Sequence, residues 1–416
     1  MFRKIVLSIC FFFTLNAFAQ EGSSSPYSFY GLGEMRFKGT VDNRAMGGLS
    51  VISDSIHINL QNPAFYSELK FTTLTLGVSY LTTKLKTSSE EANARRSTLD
   101  YLAVAFPIGK FGASFGLMPV TSVGYKIRTA SANTAVADKE YTGTGGINRL
   151  YAGASYKVTK QLSFGAEFGY HFGNIETTST YQIPDVQFGS QELNESSASG
   201  PGMTVGLAYK TKFGTNKEFF ASSAFSPAAT LSFSNDRKVS TIQFLNNGSI
   251  RIIDQTEVPV ADTNVKIPAK FSFGGGLGET KKWMVGAEMT FFHNKDLRNR
   301  FADISDVAFE NAMRFSVGGF FIPNHASFSN YMKRMTYRAG FRYESTGLVI
   351  NNESINDTGL TLGIGLPLGG TFSNINIGFE YGKRGTTKAG LIEENYANFT
   401  LALSLNDRWF VKRKFD

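Results

Sequence analysis

The feature that most constrains this chain is a two-residue alternation that returns again and again after residue 70. Leu74, Leu76, Val78 and Tyr80 alternate with Thr73, Thr75, Gly77 and Ser79, and Phe164, Ala166, Phe168, Tyr170 and Phe172 alternate with Gly165, Glu167, Gly169 and His171. The same period recurs at 203–209, 283–291, 335–343, 360–366 and 399–405. Period two puts the large apolar residues on one face of an extended strand and small or polar residues on the other. The pattern predicts fourteen strands, at 71–82, 98–107, 110–128, 147–158, 161–173, 202–213, 218–233, 269–278, 282–293, 312–322, 333–345, 357–367, 373–384 and 397–408. Most are about ten residues or more, longer than the usual five or six of soluble strands and suited to a tilted bilayer-crossing strand.

The connections are expected to alternate strictly between short and long. Short ones include 108–110, 159–160, 214–217, 279–281 and 369–371; long ones are 129–146, 174–201, 234–268 and 294–311. Short periplasmic turns and longer outside segments mark outer-membrane barrels, and closure removes the unpaired edges that lipid cannot solvate. The expectation is an all-β chain forming a transmembrane antiparallel barrel over 71–410, with a periplasmic tail at 411–416. Trp283, Trp409 and the tyrosines fall near strand ends, where an aromatic girdle belongs.

Composition excludes the competing classes. Charged residues make up 18% while apolar ones reach 42%, which is not the balance of a disordered chain. Forty-two glycines and 38 phenylalanines do not suit a helical protein, and after residue 20 no run of about eighteen apolar residues could form a membrane helix. The N-terminus reads as a signal peptide over 1–19: Arg3 and Lys4, an apolar run Ile5 to Leu15, then Ala17-Phe18-Ala19, with cleavage expected after Ala19. Cys10, the single cysteine, lies inside that leader. The expected location is the cell outer membrane of a Gram-negative bacterium. Net charge is only +8 with no long basic block, so no nucleic-acid partner is expected.

Catalysis finds no support. His57, His171, His293 and His325 fall in four separate segments without metal-ligand spacing, so no metal or cofactor is expected. His293 with Asp296 and Asp303 is the only local cluster, and a solvated loop accounts for it. Gly143-x-Gly145-Gly146 and Gly274-Gly275-Gly276 open no helix and are not phosphate loops.

Residues 20–70 do not alternate and are broken by Gly22, Pro26, Gly31, Gly33, Gly47-Gly48 and Pro63. A fourteen-stranded barrel has room for such a segment as a plug. The order Arg44-x-Met46-Gly47-Gly48, then Asp54, then Asn62-Pro63-Ala64 resembles the hatch of the FadL/PorV superfamily of outer-membrane proteins. Ile267-Pro268-Ala269 before Gly274-Gly275-Gly276, and Tyr337-Arg338-Ala339-Gly340-Phe341, fit it as well.

The resemblance implies passive uptake of hydrophobic or amphipathic small molecules, with sideways exit through a kinked third strand. Here that segment holds Gly116, Met118 and Pro119, and a proline cannot donate to the ladder. Inward Gly112, Ser114 and Gly116 are expected to leave space beside it. The alternative from the same superfamily is a PorV-like barrel that moves no ligand but binds exported proteins or secretion or barrel-assembly partners. Leu245, Ile250, Ile252 and Ile253 in one outside segment favour that reading.

Arg334, Arg338, Arg342 and Glu344 share the face of the eleventh strand opposite its apolar residues, so they point into the lumen. Glu167 and His171 in the fifth strand and Glu288 in the ninth do the same. Buried charges need partners, so this ladder is expected to bind plug carboxylates such as Asp42 or Asp54.

Overall fold

The computed structural model describes residues 24–52, 54–129, 137–214, 216–245, 249–298, 307–369 and 371–409. The expected leader, Asp303, Phe410 and the tail 411–416 lie outside them. Fourteen antiparallel strands close into a barrel, the last pairing with the first from Glu393↔Lys86 to Asp407↔Thr72. The first seven are Thr72–Lys86, Glu91–Ile108, Phe111–Thr129, Asp138–Lys157, Leu162–Gln182, Phe188–Phe213, and Lys217–Ser226 continued by Ala229–Phe244. The eighth is Thr263–Ile267 continued by Lys270–Glu279; then come Trp283–Phe292, Ala312–Phe321, Thr336–Ile350, Glu353–Pro367, Asn374–Arg384 and Glu393–Asp407.

Alternation becomes a wall through burial. Phe164, Phe168, Leu207, Phe225, Leu360 and Leu362 stand exposed on the outside as a lipid-facing band, while Ser163, Glu167, Thr204, Ser222 and Thr361 are buried inward. Covering that band with lipid is worth about 1.5–3 kcal/mol for each large side chain.

Two features of the connections differ from expectation. Strands run on where loops were expected: 138–146 belongs to the fourth strand, 174–182 to the fifth and 188–201 to the sixth. The region 234–268 holds the end of the seventh strand and an added strand, Ile250–Val258, paired back on it from Ile250↔Phe244 to Val258↔Arg237. In these extensions, as in Ile175 to Gln182, the outward face meets water instead of lipid, so hydrophobic alternation fades while the hydrogen-bonded ladder continues. Nor is loop length strictly alternating. At the end away from the termini, the connections 87–90 and 351–352 are tight, whereas 322–335 at the terminal end is long. Strand extension, not loop length, distinguishes this distal end.

Residues 24–71 fold against the inner wall at two levels. Near the terminal end, the short helix Val41–Arg44 and the 3-10 helix Pro63–Glu68 carry Val41, Tyr66 and Leu69 into a cluster with Tyr101, Met118 and Tyr151. At the distal end Leu32 packs with Val123, Ile147, Ile175, Leu231 and Phe233, and Tyr27 packs with Ile350, Ile355 and Leu391.

Candidate functional site: a lumen chamber and a wall seam

The N-P-A stretch is held by one side chain. Asn62 Oδ1 accepts from the Ala64 backbone at 3.0 Å and caps the 3-10 helix that Pro63 begins. Its Nδ2 donates to the Leu207 and Ser223 carbonyls at 3.1 Å each, tying this turn to the sixth and seventh strands. A Cβ on Gly206 would lie 2.0 Å from Asn62 Oδ1, so the wall needs glycine there. Ala64 is fully buried against Ala208. Asn62→Ala should remove the cap and both bonds to the wall carbonyls, weakening hatch docking by about 2–4 kcal/mol. Faster proteolysis at residues 62–68 in the folded barrel measures it; wild-type protection would discount the anchor.

The Arg44-x-Met46-Gly47-Gly48 stretch forms a left-handed turn, with φ +73° at Gly47 and +89° at Gly48. The Gly47 amide donates to Thr361 Oγ1 at 2.9 Å, and Met46 packs on Leu49, Phe220 and Met284. Arg44 reaches Glu380 at 3.0 Å and Asp100 at 3.7 Å.

Asp54 and His57 form a clasp. The carboxylate accepts from the His57 backbone at 2.8 Å and meets Nδ1 at 2.6 Å, while Nε2 contacts Asn376 Nδ2 of the thirteenth strand at 3.0 Å. Burial opposes the charged imidazole, but the Asp54 and Asp42 carboxylates and the Nδ1 bond outweigh it and raise the pKa of His57. A raised value means stabilisation that is complete below the unfolded value of about 6.5 and lost as pH climbs through the folded one. Single-channel leak in planar bilayers should therefore rise from slightly acid to alkaline pH and flatten in His57→Gln. An identical pH profile in both proteins would remove the clasp from hatch docking.

The charge ladder is wired differently from expectation. Arg338 donates to Asn376 Oδ1 at 3.0 Å rather than to Asp42 or Asp54, because the Asp54 carboxylate is already turned onto His57. Arg334 is not on the eleventh strand; it ends the 3-10 turn Tyr331–Arg334 and stacks over Tyr331. The residue after it, Met335, is a cap, and the strand starts at Thr336, so the inward face of this strand begins past Arg334. Arg342 binds Glu344, Asp357 and Glu380 within the wall, and Glu344 also takes Arg314 at 2.7 Å.

The plug is held mostly with the opposite polarity, its cations on wall carboxylates. Arg36 meets Asp100 at 2.9 Å, and Lys38 meets Glu167 at 3.1 Å, beside Tyr66 and Arg149 on the same carboxylate. Glu288 accepts from the backbone and hydroxyl of Ser50 at 2.7 Å each. The plug carboxylate that does bind wall arginines is Glu34, on Arg96 at 3.1 Å and Arg384 at 2.9 Å. Arg36, Lys38 and Glu34 lie in a segment without periodicity, so no sequence signal singled them out. Asp357 and Glu380 occupy the inward register of membrane strands, as Glu167 does, and that signal could have found them.

Between the two packed levels lies a chamber of about 270 Å³, lined by Arg36, Lys38, Arg44, Arg149, Arg314, Arg342 and Arg384, with Glu34, Glu344, Asp357 and Glu380 among them. His171 joins this lining opposite Gly202, where a Cβ would meet its ring at 2.5 Å. Phe37, Met35, Met118 and Pro119 add an apolar side.

That apolar side meets an interruption in the wall. Strands two and three pair from Ile108↔Phe111 only as far as Leu102↔Leu117. Beyond that, strand two continues on strand one to Glu91, and strand three continues on strand four, with a register shift between Pro119 and Thr121. The opening is bridged by the plug: Glu34↔Ser122 and Met35↔Thr121 form a short antiparallel ladder, and the Arg36 amide donates to the Val120 carbonyl at 2.8 Å. Salt bridges from Glu34 to Arg96 and from Arg36 to Asp100 reach the other lip. The space expected beside Gly112, Ser114 and Gly116 is occupied. Gly112 faces the Tyr66 backbone, Ser114 bonds Tyr151 at 3.2 Å, and a Cβ on Gly116 would lie 2.9 Å from the Tyr151 ring.

A closed fourteen-strand barrel with an N-terminal segment folded inside it is the architecture of an outer-membrane β-barrel protein. The whole chain, residues 1–416, matches the model of the BamG family and belongs to that family. Its fold is shared with the toluene transporter TbuX of Ralstonia pickettii (15% identity, TM-score 0.60, covering 89% of this chain and 99% of that one). The toluene transporter TodX of Pseudomonas putida gives 17% identity and a TM-score of 0.56, covering 90% of this chain and 98% of its own. A FadL homologue of Pseudomonas aeruginosa gives 14% and 0.58, covering 89% and 98%. At these identities the likeness is one of fold. No curated protein matches the chain.

Proposed function

We propose that this barrel, a member of the FadL/PorV superfamily, binds small amphipathic molecules in its chamber and passes them sideways through the seam between strands two and three. The observation that carries this reading is the end of pairing at Leu102↔Leu117, where the chamber meets Met118, Pro119 and Val120. Unpaired backbone cannot face hydrocarbon, so a seam of this length is kept only where protein or a wet passage covers it. The cover, residues 34–36, is short and held at its edges by ion pairs. The lining is richer in cations than in carboxylates, so the favoured ligand has an apolar body and an anionic head, in contrast to a plain hydrocarbon. The protein sits in the outer membrane with the strand extensions outside, reached by way of its cleaved leader.

Fastening the cover tests this. In the mature chain, which has no other cysteine once the leader is removed, Met35→Cys with Thr121→Cys places thiols on directly paired residues. The oxidised barrel should take up a fluorescent fatty acid at least tenfold more slowly than the reduced one. Equal rates would exclude the seam as the route.

A second reading, a barrel that binds protein partners, is favoured by the distal hairpin. Leu245, Ile250, Ile252, Ile253 and Val258 stand exposed there, well beyond the lipid-facing band. Loss of co-purifying outer-membrane proteins on replacing Ile250, Ile252 and Ile253 with Ser, with fatty-acid uptake unchanged, would favour it.

A further inference from the structure

Three prolines fall in three consecutive strands on the far side of the chamber: Pro201 in the sixth, Pro227 in the seventh and Pro268 in the eighth. Strands six and seven pair from Phe213↔Lys217 up to Val205↔Phe225, and the ladder resumes only at Ser199↔Ser232. Between those points five residues, 200–204, stand opposite six, 226–231. Strands seven and eight pair at Ser226↔Lys270 and again at Ala229↔Ile267, so Pro227-Ala228 faces Pro268-Ala269 in between. Two facing prolines supply no N–H to close that interval.

The break also reverses the wall. Below it Phe220, Ser222 and Ala224 of the seventh strand are the buried residues; above it Leu231, Phe233 and Asn235 are. Phe225 and Phe271 are the last exposed aromatics below the break on their strands, and above it strand seven turns Thr230, Ser232 and Ser234 outward. The interruption therefore lies at the upper rim of the apolar band, where head groups and water replace hydrocarbon and can satisfy free carbonyls. The chamber reaches it: Thr204, Ser226, Pro227, Pro268 and Lys270 belong to the chamber lining.

The two wall interruptions are covered unequally. The seam at strand three carries a plug ladder and two ion pairs. Across the break between strands six and seven, Thr204 meets Ser226 through their hydroxyls at 2.9 Å and the Gly200 backbone lies close against Thr230 and Leu231, with no plug residue pairing to either strand there among the described residues. Lys270 stands at its inner edge over the Phe292 ring at 5.8 Å.

Along the barrel axis the chamber lies between the hatch cluster around Tyr66 and the distal clusters around Leu32 and Tyr27. From this geometry we infer that the break at Pro201, Pro227 and Pro268 is a second lateral port, through which a single-chain amphiphile with an anionic head group enters from head-group level. It rests on the chamber-binding reading above and completes it: this port loads the chamber, and the covered seam releases. Lys270 meets the anionic head, and the alkyl chain follows between Met203 and Pro227.

The test uses the full mature chain in nanodiscs and spin-labelled doxyl-dodecanoate as probe, read by line broadening on binding. Thr204→Cys with Ser226→Cys, in a mature chain that has no other cysteine, puts thiols where two hydroxyls now touch. Oxidation should slow probe loading at least tenfold, reductant should restore it, and heat-modifiable gel migration verifies that the barrel stays folded. Lys270→Gln should weaken probe binding several-fold without any cross-link. Acetate at equal concentration should not displace the probe, since the alkyl chain is part of what is recognised; displacement by acetate would overturn the amphiphile assignment. Wild-type loading in the oxidised 204–226 protein overturns the port while leaving chamber binding intact. Failure of the unaltered chain to bind the probe overturns both, and loading blocked only by the 35–121 cross-link assigns entry to the seam instead.

Discussion

Glu167→Ala should convert a closed barrel into a leaky one. The carboxylate is almost wholly buried and is shared by three groups: Lys38 from the plug at 3.1 Å, the Tyr66 hydroxyl from the hatch, and Arg149 from the neighbouring strand. Removing it strands two cations in the lumen and releases the plug at two points at once. Breaking a buried ion pair from one side costs about 3–5 kcal/mol, comparable to the stability of a small docked element. Strand pairing itself does not depend on the side chain, since Glu167 pairs through its backbone with Gly153 and Thr204. Planar-bilayer conductance should therefore rise several-fold while heat-modifiable migration stays that of a folded barrel. Arg338→Ala is the contrast: its bond is to the neutral Asn376, so its leak should be clearly smaller. Equal conductance in the two variants would mean that Glu167 is only a wall residue.

The difference between those two residues shows what the sequence could and could not convey. Strand number, strand order and the inward direction of Glu167, Glu288, Arg338 and Arg342 follow from period-two alternation, because a lipid-facing wall forces one apolar face on every strand. The same signal fails where lipid ends. At Ile175 to Gln182, and at 188–201, the ladder goes on in water and the sequence looks like loop. Pairing between charges is not periodic at all. Nothing in Arg36-Phe37-Lys38 distinguishes it from a solvated run, and only the folded plug brings it to Asp100 and Glu167. The hatch motif was legible as a motif, yet its physical content lies in partners far along the chain: Asn62 on the carbonyls of Leu207 and Ser223, and Gly47 on Thr361. Pro119 drew attention as a missing donor. The seam it borders depends on where strand two stops pairing, which no local pattern records.

Glycine is the other half of the hatch, and it gives the second large effect. Gly112 and Gly116 are expected from the sequence to leave space on the inward face of strand three. Gly112 and other inward glycines of the wall are instead the seat on which the plug backbone rests. A Cβ on Gly165 would lie 2.4 Å from the Pro63 carbonyl carbon, one on Gly340 would lie 2.2 Å from the Gly47 nitrogen, and one on Gly112 would lie 2.2 Å from the Tyr66 carbonyl. Backbone against backbone cannot yield by rotating a side chain, so valine at these positions must push the hatch off the wall. Valine also favours strands more than glycine does, so the barrel itself should fold at least as well. Gly165→Val and Gly340→Val should each expose the hatch to protease near residues 47 and 63, and the double variant should conduct at least as well as Glu167→Ala. Gly109→Val serves as the control, since nothing lies within 4 Å of its Cβ position; its left-handed turn is strained by the change, but the strain falls outside the hatch. Protease resistance of residues 47–63 in the double variant would mean that the hatch can be held by its side-chain bonds alone, and that the glycine seat serves packing rather than docking.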